Sequence, residues 1–181
     1  MEPLVKLSGI IKQFPNVIAL KEVDFSLLEG EVHSLVGENG AGKSTLMNVL
    51  YGVIQPDMGD IFIRGEKQII NSARDAMSFG IGMVHQEFML APTMTVLENI
   101  ILGFEPNNRS VLDYDHAFNK ITELSREYGL AVRPDSKIMD NSVGEAQRVE
   151  ILKALYRGAE VLILDEPTAV LTPQETDRLF S

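Results

Sequence analysis

The chain has 181 residues, enough for one good hydrophobic core and short for two. Its 26 acidic side chains outnumber the 16 basic ones, giving a net charge of −10 with no basic run, a balance that argues against sequence-independent nucleic-acid binding. There is no cysteine for a disulfide or thiolate metal site, no apolar run of membrane-spanning length and no signal-peptide layout in the opening MEPLVKLSG, so a soluble, intracellular chain is expected.

Residues 4–11 and 23–28 read as strands, and Glu29-Gly30 turns the second into a further strand over 31–36, an antiparallel β element leading into a glycine-rich stretch. Between them Phe14-Pro15-Asn16 sets an aromatic beside a turn-prone pair. Phe14 serves either the core or a nucleotide base, and position alone favours the core. The stretch Gly37-Glu38-Asn39-Gly40-Ala41-Gly42-Lys43-Ser44-Thr45 then fits the phosphate-loop pattern GxxxxGK[ST], with a helix expected over 44–51. Its glycines let the backbone approach a phosphate, while loop N–H groups and the helix N-terminus face the anion. Lys43 supplies a mobile cation for the β- and γ-phosphates, and Ser44 a hydroxyl for Mg²⁺.

Residues 55–60 carry a strong turn signal, and 61–63 a short strand closed by Gly65. A strand over 80–84 delivers His85-Gln86-Glu87 to its carboxyl end, where ligands sit in open α/β sheets. Gln86 is therefore either a water or metal contact or a loop polar residue. The three histidines, His33, His85 and His116, are too scattered to suggest a local metal cluster. Beyond Phe88 the pattern turns helical. A helix over 95–102 starts with Thr95 as N-cap and Glu98 three residues on, and one over 113–128 ends at Gly129. A third, 144–156, is entered through Ser142-Val143-Gly144, a second candidate anion site. The run Val161-Leu162-Ile163-Leu164 has the pattern of a strand buried on both faces and ends in Asp165-Glu166, suited to holding Mg²⁺ and polarising an attacking water. Thr172-Pro173-Gln174-Glu175 starts a last helix. The layout is α/β: a discontinuous nucleotide core, 1–88 and 157–181, interrupted by a helical subdomain, 89–156.

GENGAGKST, His85-Gln86, Ser142-Val143-Gly144-Glu145-Ala146-Gln147-Arg148 and LILDEPTAVLT, in that order, resemble the ATP-binding cassette of ABC transporters over essentially the whole chain. GVIQPDMGDI, GMVHQEFML and the residues from Val149 to Glu175 look more narrowly like the amino-terminal cassette of fused double ATPases serving bacterial importers of simple sugars and nucleosides. The resemblance implies a P-loop NTPase (RecA-like) core with an antiparallel β element and a helical insert, working with ATP and Mg²⁺ on the cytoplasmic face of the membrane.

Residue by residue it implies that Phe14 stacks on adenine and that Gly37, Asn39, Gly40, Ala41, Gly42, Lys43, Ser44 and Thr45 cradle the phosphates. Gln86 links the γ-phosphate and Mg²⁺ to the transmembrane permease subunits, Asp165 holds Mg²⁺ and Glu166 is catalytic. Ser142 and Gly144 grip ATP bound to a second cassette, fused or homodimeric, and the apolar patch of Phe88, Met89, Leu90 and Met94 either receives the permease, as the family's region does, or packs inside the helical lobe. Three departures stand out: the family's LSGGQ is Asn141-Ser142-Val143-Gly144-Glu145, followed by Ala146; Ala169-Val170-Leu171-Thr172 lacks the aspartate of the usual SALD; and no histidine follows Glu166. The chain thus looks like a fragment, expected to bind ATP with little turnover alone. A nucleotide-dependent interaction module is the competing reading.

Overall fold

The computed structural model describes residues 2–86, 88–108 and 111–165. The chain divides into two compact units, Met1–Ile81 and Gly82–Ser181.

The first unit is built on β1 (Val5–Phe14) and β2 (Val17–Leu27), followed by α1 (Lys43–Leu50), β3 (Met58–Ile63), β4 (Glu66–Gln68) and α2 (Ala73–Ser78). The strands form an antiparallel sheet in the order β2-β1-β3-β4. Val5 and Leu7 point to the core with the strand period of two, which would next bury Gly9 and Ile11. A register shift between Leu7 and Ile10 resets the phase, so Ile10 is buried instead. Ile61 and Ile63 of β3 and Leu46, Val49 and Leu50 of α1 complete the buried set. The β3–β4 connection is the two-residue turn Arg64-Gly65, both at positive φ as such tight hairpins require. Short and polar, β4 and α2 carry too little apolar periodicity to read from sequence.

Two expectations fail in this unit. Residues 31–38 form neither strand nor helix, and Val32, Leu35 and Val36 are exposed, Val36 at 92%. An apolar run signals a strand only if a neighbour supplies the ladder, and among the described residues none pairs with it. Phe14 is not a core residue either. β1 continues to the end of the hairpin, where Phe14 pairs with Val17 across Pro15-Asn16, leaving the residue 37% exposed at the tip.

In the second unit β5 (Ile81–Val84), which begins at the boundary, pairs with β8 (Val161–Leu164). Between them come α3 (Val96–Ile101), the small ribbon of β6 (Asn107–Asn108) and β7 (Val111–Leu112), α4 (Tyr114–Glu127), a 3₁₀ turn at Ile138–Asp140 and α5 (Val143–Tyr156). Val96 and Ile100 of α3, Ala117 and Ile121 of α4, and Val149 and Leu152 of α5 meet Val84 in one core. All residues of β5 are buried, whereas β8 alternates: Val161 and Ile163 are buried, and Leu162 and Leu164 half-buried against that core, short of the burial expected on both faces. The helix expected from Thr172 lies outside the described residues.

Both α3 and α5 open with a complete capping box, Thr95 with Glu98 and Ser142 with Glu145. Backbone and hydroxyl hydrogen bonds from Thr95 hold the Glu98 carboxyl below its ordinary pKa, and those from Ser142 do the same for Glu145. A folded-state pKa below the unfolded one stabilises the fold above the unfolded value, and the gain disappears as pH falls through the folded value. Thermal melts should therefore weaken below about pH 4, with a shallower acid slope in Glu98→Gln and Glu145→Gln. Thr95→Ala and Ser142→Ala should each cost about 0.5–2 kcal/mol at neutral pH.

Candidate functional site

The residues expected to bind phosphates surround the start of α1. Helices α2, α3, α4 and α5 each begin with a side chain bonded to a first-turn N–H, whereas α1 begins at Gly42 with no side-chain cap and no acidic residue in its first turn. Its leading amides and the positive end of its dipole are thus left for an external anion. Lys43 folds over this end, its Nζ donating to the carbonyls of Gly37 at 2.6 Å and Glu38 at 2.9 Å. Ala41 N–H bonds Glu38 O at 3.2 Å, closing the loop on itself. A phosphate oxygen would replace carbonyl contacts that the ammonium already makes, so the cation is oriented beforehand. Ser44 and Thr45 follow in the first helical turn.

Gly42 shows how tightly the loop is seated. Its φ is +91°, and a Cβ there would lie 2.5 Å from the carbonyl oxygen of Ala19 and 3.0 Å from Leu20 Cδ2. The loop rests directly on β2, an arrangement sequence reasoning missed because no pattern near Gly42 names Ala19.

In the second unit the carboxyl ends of β5 and β8 lie side by side: Asp165 N–H donates to Val84 O at 3.2 Å. Asp165 and Gln86 therefore leave adjacent strand ends, as ligand-binding residues in α/β sheets do. Glu166 lies outside the described residues.

Ser142 is the N-cap of α5, and Gly144 sits in its first turn. The Ser142 hydroxyl is engaged by its own helix, 2.9 Å from Glu145 Oε2, and the same carboxylate accepts from Ser142 N–H at 2.8 Å. An anion approaching this helix end would meet Glu145 as well as Ser142.

The segment after Gln86 is pinned to α5 in a way no motif announced. Glu150 Oε1 accepts from Met89 N–H at 2.7 Å, and Lys153 Nζ donates to Met89 O at 3.0 Å. Burial lowers the Lys153 pKa, and the Glu150 charge beside it partly offsets this. Asn99, 2% exposed, bonds both backbone groups of Ala91. Of the expected apolar patch, Leu90 packs on the helical core, while Met89 presents an exposed side chain.

The glycine-rich loop and the uncapped helix of the first unit define the class as a P-loop protein. The ABC transporter family model matches residues 20–169, and the chain belongs to that family.

Relatives include the guanosine import ATP-binding protein NupO of Bacillus subtilis, 53% identical over 99% of this chain and 35% of that protein. The nucleoside import ATP-binding protein NupA of Lactococcus lactis is 52% identical, with the same coverage of each. A ribose import ATP-binding protein of Streptomyces avermitilis is 45% identical over 99% of this chain and 34% of that one. The chain spans about a third of the length of these relatives. Among solved structures, an ATP-binding cassette of an ABC transporter in its ADP conformation matches with a TM-score of 0.84 and 26% identity, over 99% of this chain and 74% of that one. The fold is that of the P-loop ATP-binding cassettes, α/β with an antiparallel sheet and helices.

Proposed function

We propose that this chain is the ATP-binding and hydrolysing part of an importer that takes up a nucleoside or a simple sugar. The observation that carries it is the α1 N-terminus: uncapped, glycine-seated and overhung by Lys43. Higher identity to the guanosine and nucleoside import proteins than to the ribose import protein favours a nucleoside.

In this reading the loop residues from Gly37 to Thr45 hold the ATP phosphates, and Phe14 stacks on the base. Ser44, Gln86 and Asp165 offer oxygen donors, the hard ligand set that suits Mg²⁺. Bound Mg²⁺ would neutralise phosphate charge. Glu166 takes a proton from the attacking water, and Lys43 stabilises charge on the phosphate oxygens. Residues 89–156 act as the helical subdomain, Met89 and its neighbours face permease subunits on the cytoplasmic side of the bacterial membrane, and Ser142 with Gly144 contacts ATP on a second cassette.

A second reading, a nucleotide-binding interaction module with little turnover, is favoured by the hold of Glu145 on Ser142, which sets a carboxylate where a phosphate should be gripped. Full-length protein reconstituted with its permease in vesicles should accumulate labelled guanosine in preference to ribose, and only with ATP. Nucleotide binding with neither uptake nor phosphate release would support the second reading.

A further inference from the structure

The β1–β2 register shifts between Ile10 and Lys12 and again between Lys12 and Gln13, just before the hairpin tip where Gln13 pairs with Ile18 and Phe14 with Val17. Asp57 ties down this irregular stretch. Its N–H donates to Ile11 O at 2.8 Å, its Oδ2 accepts from Gln13 N–H at 2.7 Å, and its Oδ1 accepts from Lys12 Nζ at 3.0 Å. Lys12 in turn lies over the Phe14 ring, with Nζ 5.7 Å from the centroid. The Lys12 side chain is 16% exposed and that of Asp57 44%. The hydrogen bond from Gln13, and then Lys12, hold the Asp57 carboxyl below its ordinary pKa, keeping the grip charged.

We infer that Asp57 is a positioning residue for base binding: it fixes the hairpin tip and sets the Lys12 ammonium behind the Phe14 ring, presenting the ring to a purine. The inference rests on the reading that Phe14 stacks on the nucleotide base. A cation on one side of an aromatic ring draws its π density that way, easing repulsion against a purine stacked on the other. An ordinary surface ion pair between Lys12 and Asp57 would affect stability slightly and binding not at all.

The test measures binding of MgATP and of inorganic tripolyphosphate, which has no base, to the full-length protein and its variants by calorimetry. Phe14→Ala should weaken MgATP about ten- to hundredfold. Asp57→Asn should weaken it about three- to tenfold, with tripolyphosphate unchanged and no further loss in the Phe14→Ala background. Lys12→Met, which keeps the hold of Asp57 on Gln13, should show a smaller loss with the same dependence on the base, and it serves if Asp57→Asn fails to fold. Full MgATP affinity in Phe14→Ala would remove the stacking reading and the inference with it. A loss in Phe14→Ala without one in Asp57→Asn or Lys12→Met would overturn the inference alone, as would an equal loss of tripolyphosphate.

Discussion

Replacing Glu166 by glutamine in the full-length protein should slow ATP turnover by about a hundred- to ten-thousandfold, the usual worth of a general base. The substitution keeps side-chain volume and an acceptor oxygen but removes the capacity to take a proton from water. It therefore separates chemistry from binding. Asp165, immediately before it, is tied at the end of β8 by its bond to Val84 O, next to the strand end that leads to Gln86. Affinity for MgATP should change by no more than about twofold, since the loop and helix N-terminus proposed to hold the phosphates are untouched. Phosphate release and equilibrium binding, measured on the same preparation, decide the matter. If turnover is the same in both proteins, Glu166 is not the base, and the low-turnover reading, with Glu145 occupying the Ser142 hydroxyl, gains the ground.

Elements that stabilise themselves locally were the ones legible in the sequence. Thr95 with Glu98, Asp113 at the start of α4, and Gly129 just beyond it announce helix ends because the capping groups are neighbours in the chain. The phosphate loop was legible for the same reason, its glycines, lysine and serine being consecutive. What failed depends on partners far along the chain. Residues 31–36 have strand composition, yet a strand needs a neighbour that composition does not name. Position alone favours the core for Phe14, but β1 outruns its expected end and carries the ring to the hairpin tip. The turn around Asp57 read only as a turn, although its carboxylate bonds a strand 44 residues away. Glu150 and Lys153 lie in a helix whose pattern names no partner, yet they hold the backbone of Met89, 61 and 64 residues off.

The seating of the phosphate loop on β2 leads to the other large expected effect: Gly42→Ala should abolish useful nucleotide affinity, by about a hundredfold or more, through displacement of the loop. Two costs coincide at this position. A non-glycine residue at φ +91° is strained by about 1–3 kcal/mol. The new methyl would also stand 2.5 Å from Ala19 O, a backbone atom of a paired strand that cannot swing aside as a side chain could. Relief requires the start of α1 to lift from β2, which moves its leading amides and Lys43 together, because Lys43 is the first helical residue. Gly40 is the internal control. Its φ of +84° carries similar strain, but an added Cβ would meet nothing within 4 Å, so Gly40→Ala should keep the loop in place and lose less affinity. Calorimetric MgATP titration of both variants, with circular dichroism to establish folding, tests the difference. Equal losses in the two would mean that backbone strain alone governs the loop and that its contact with Ala19 is incidental.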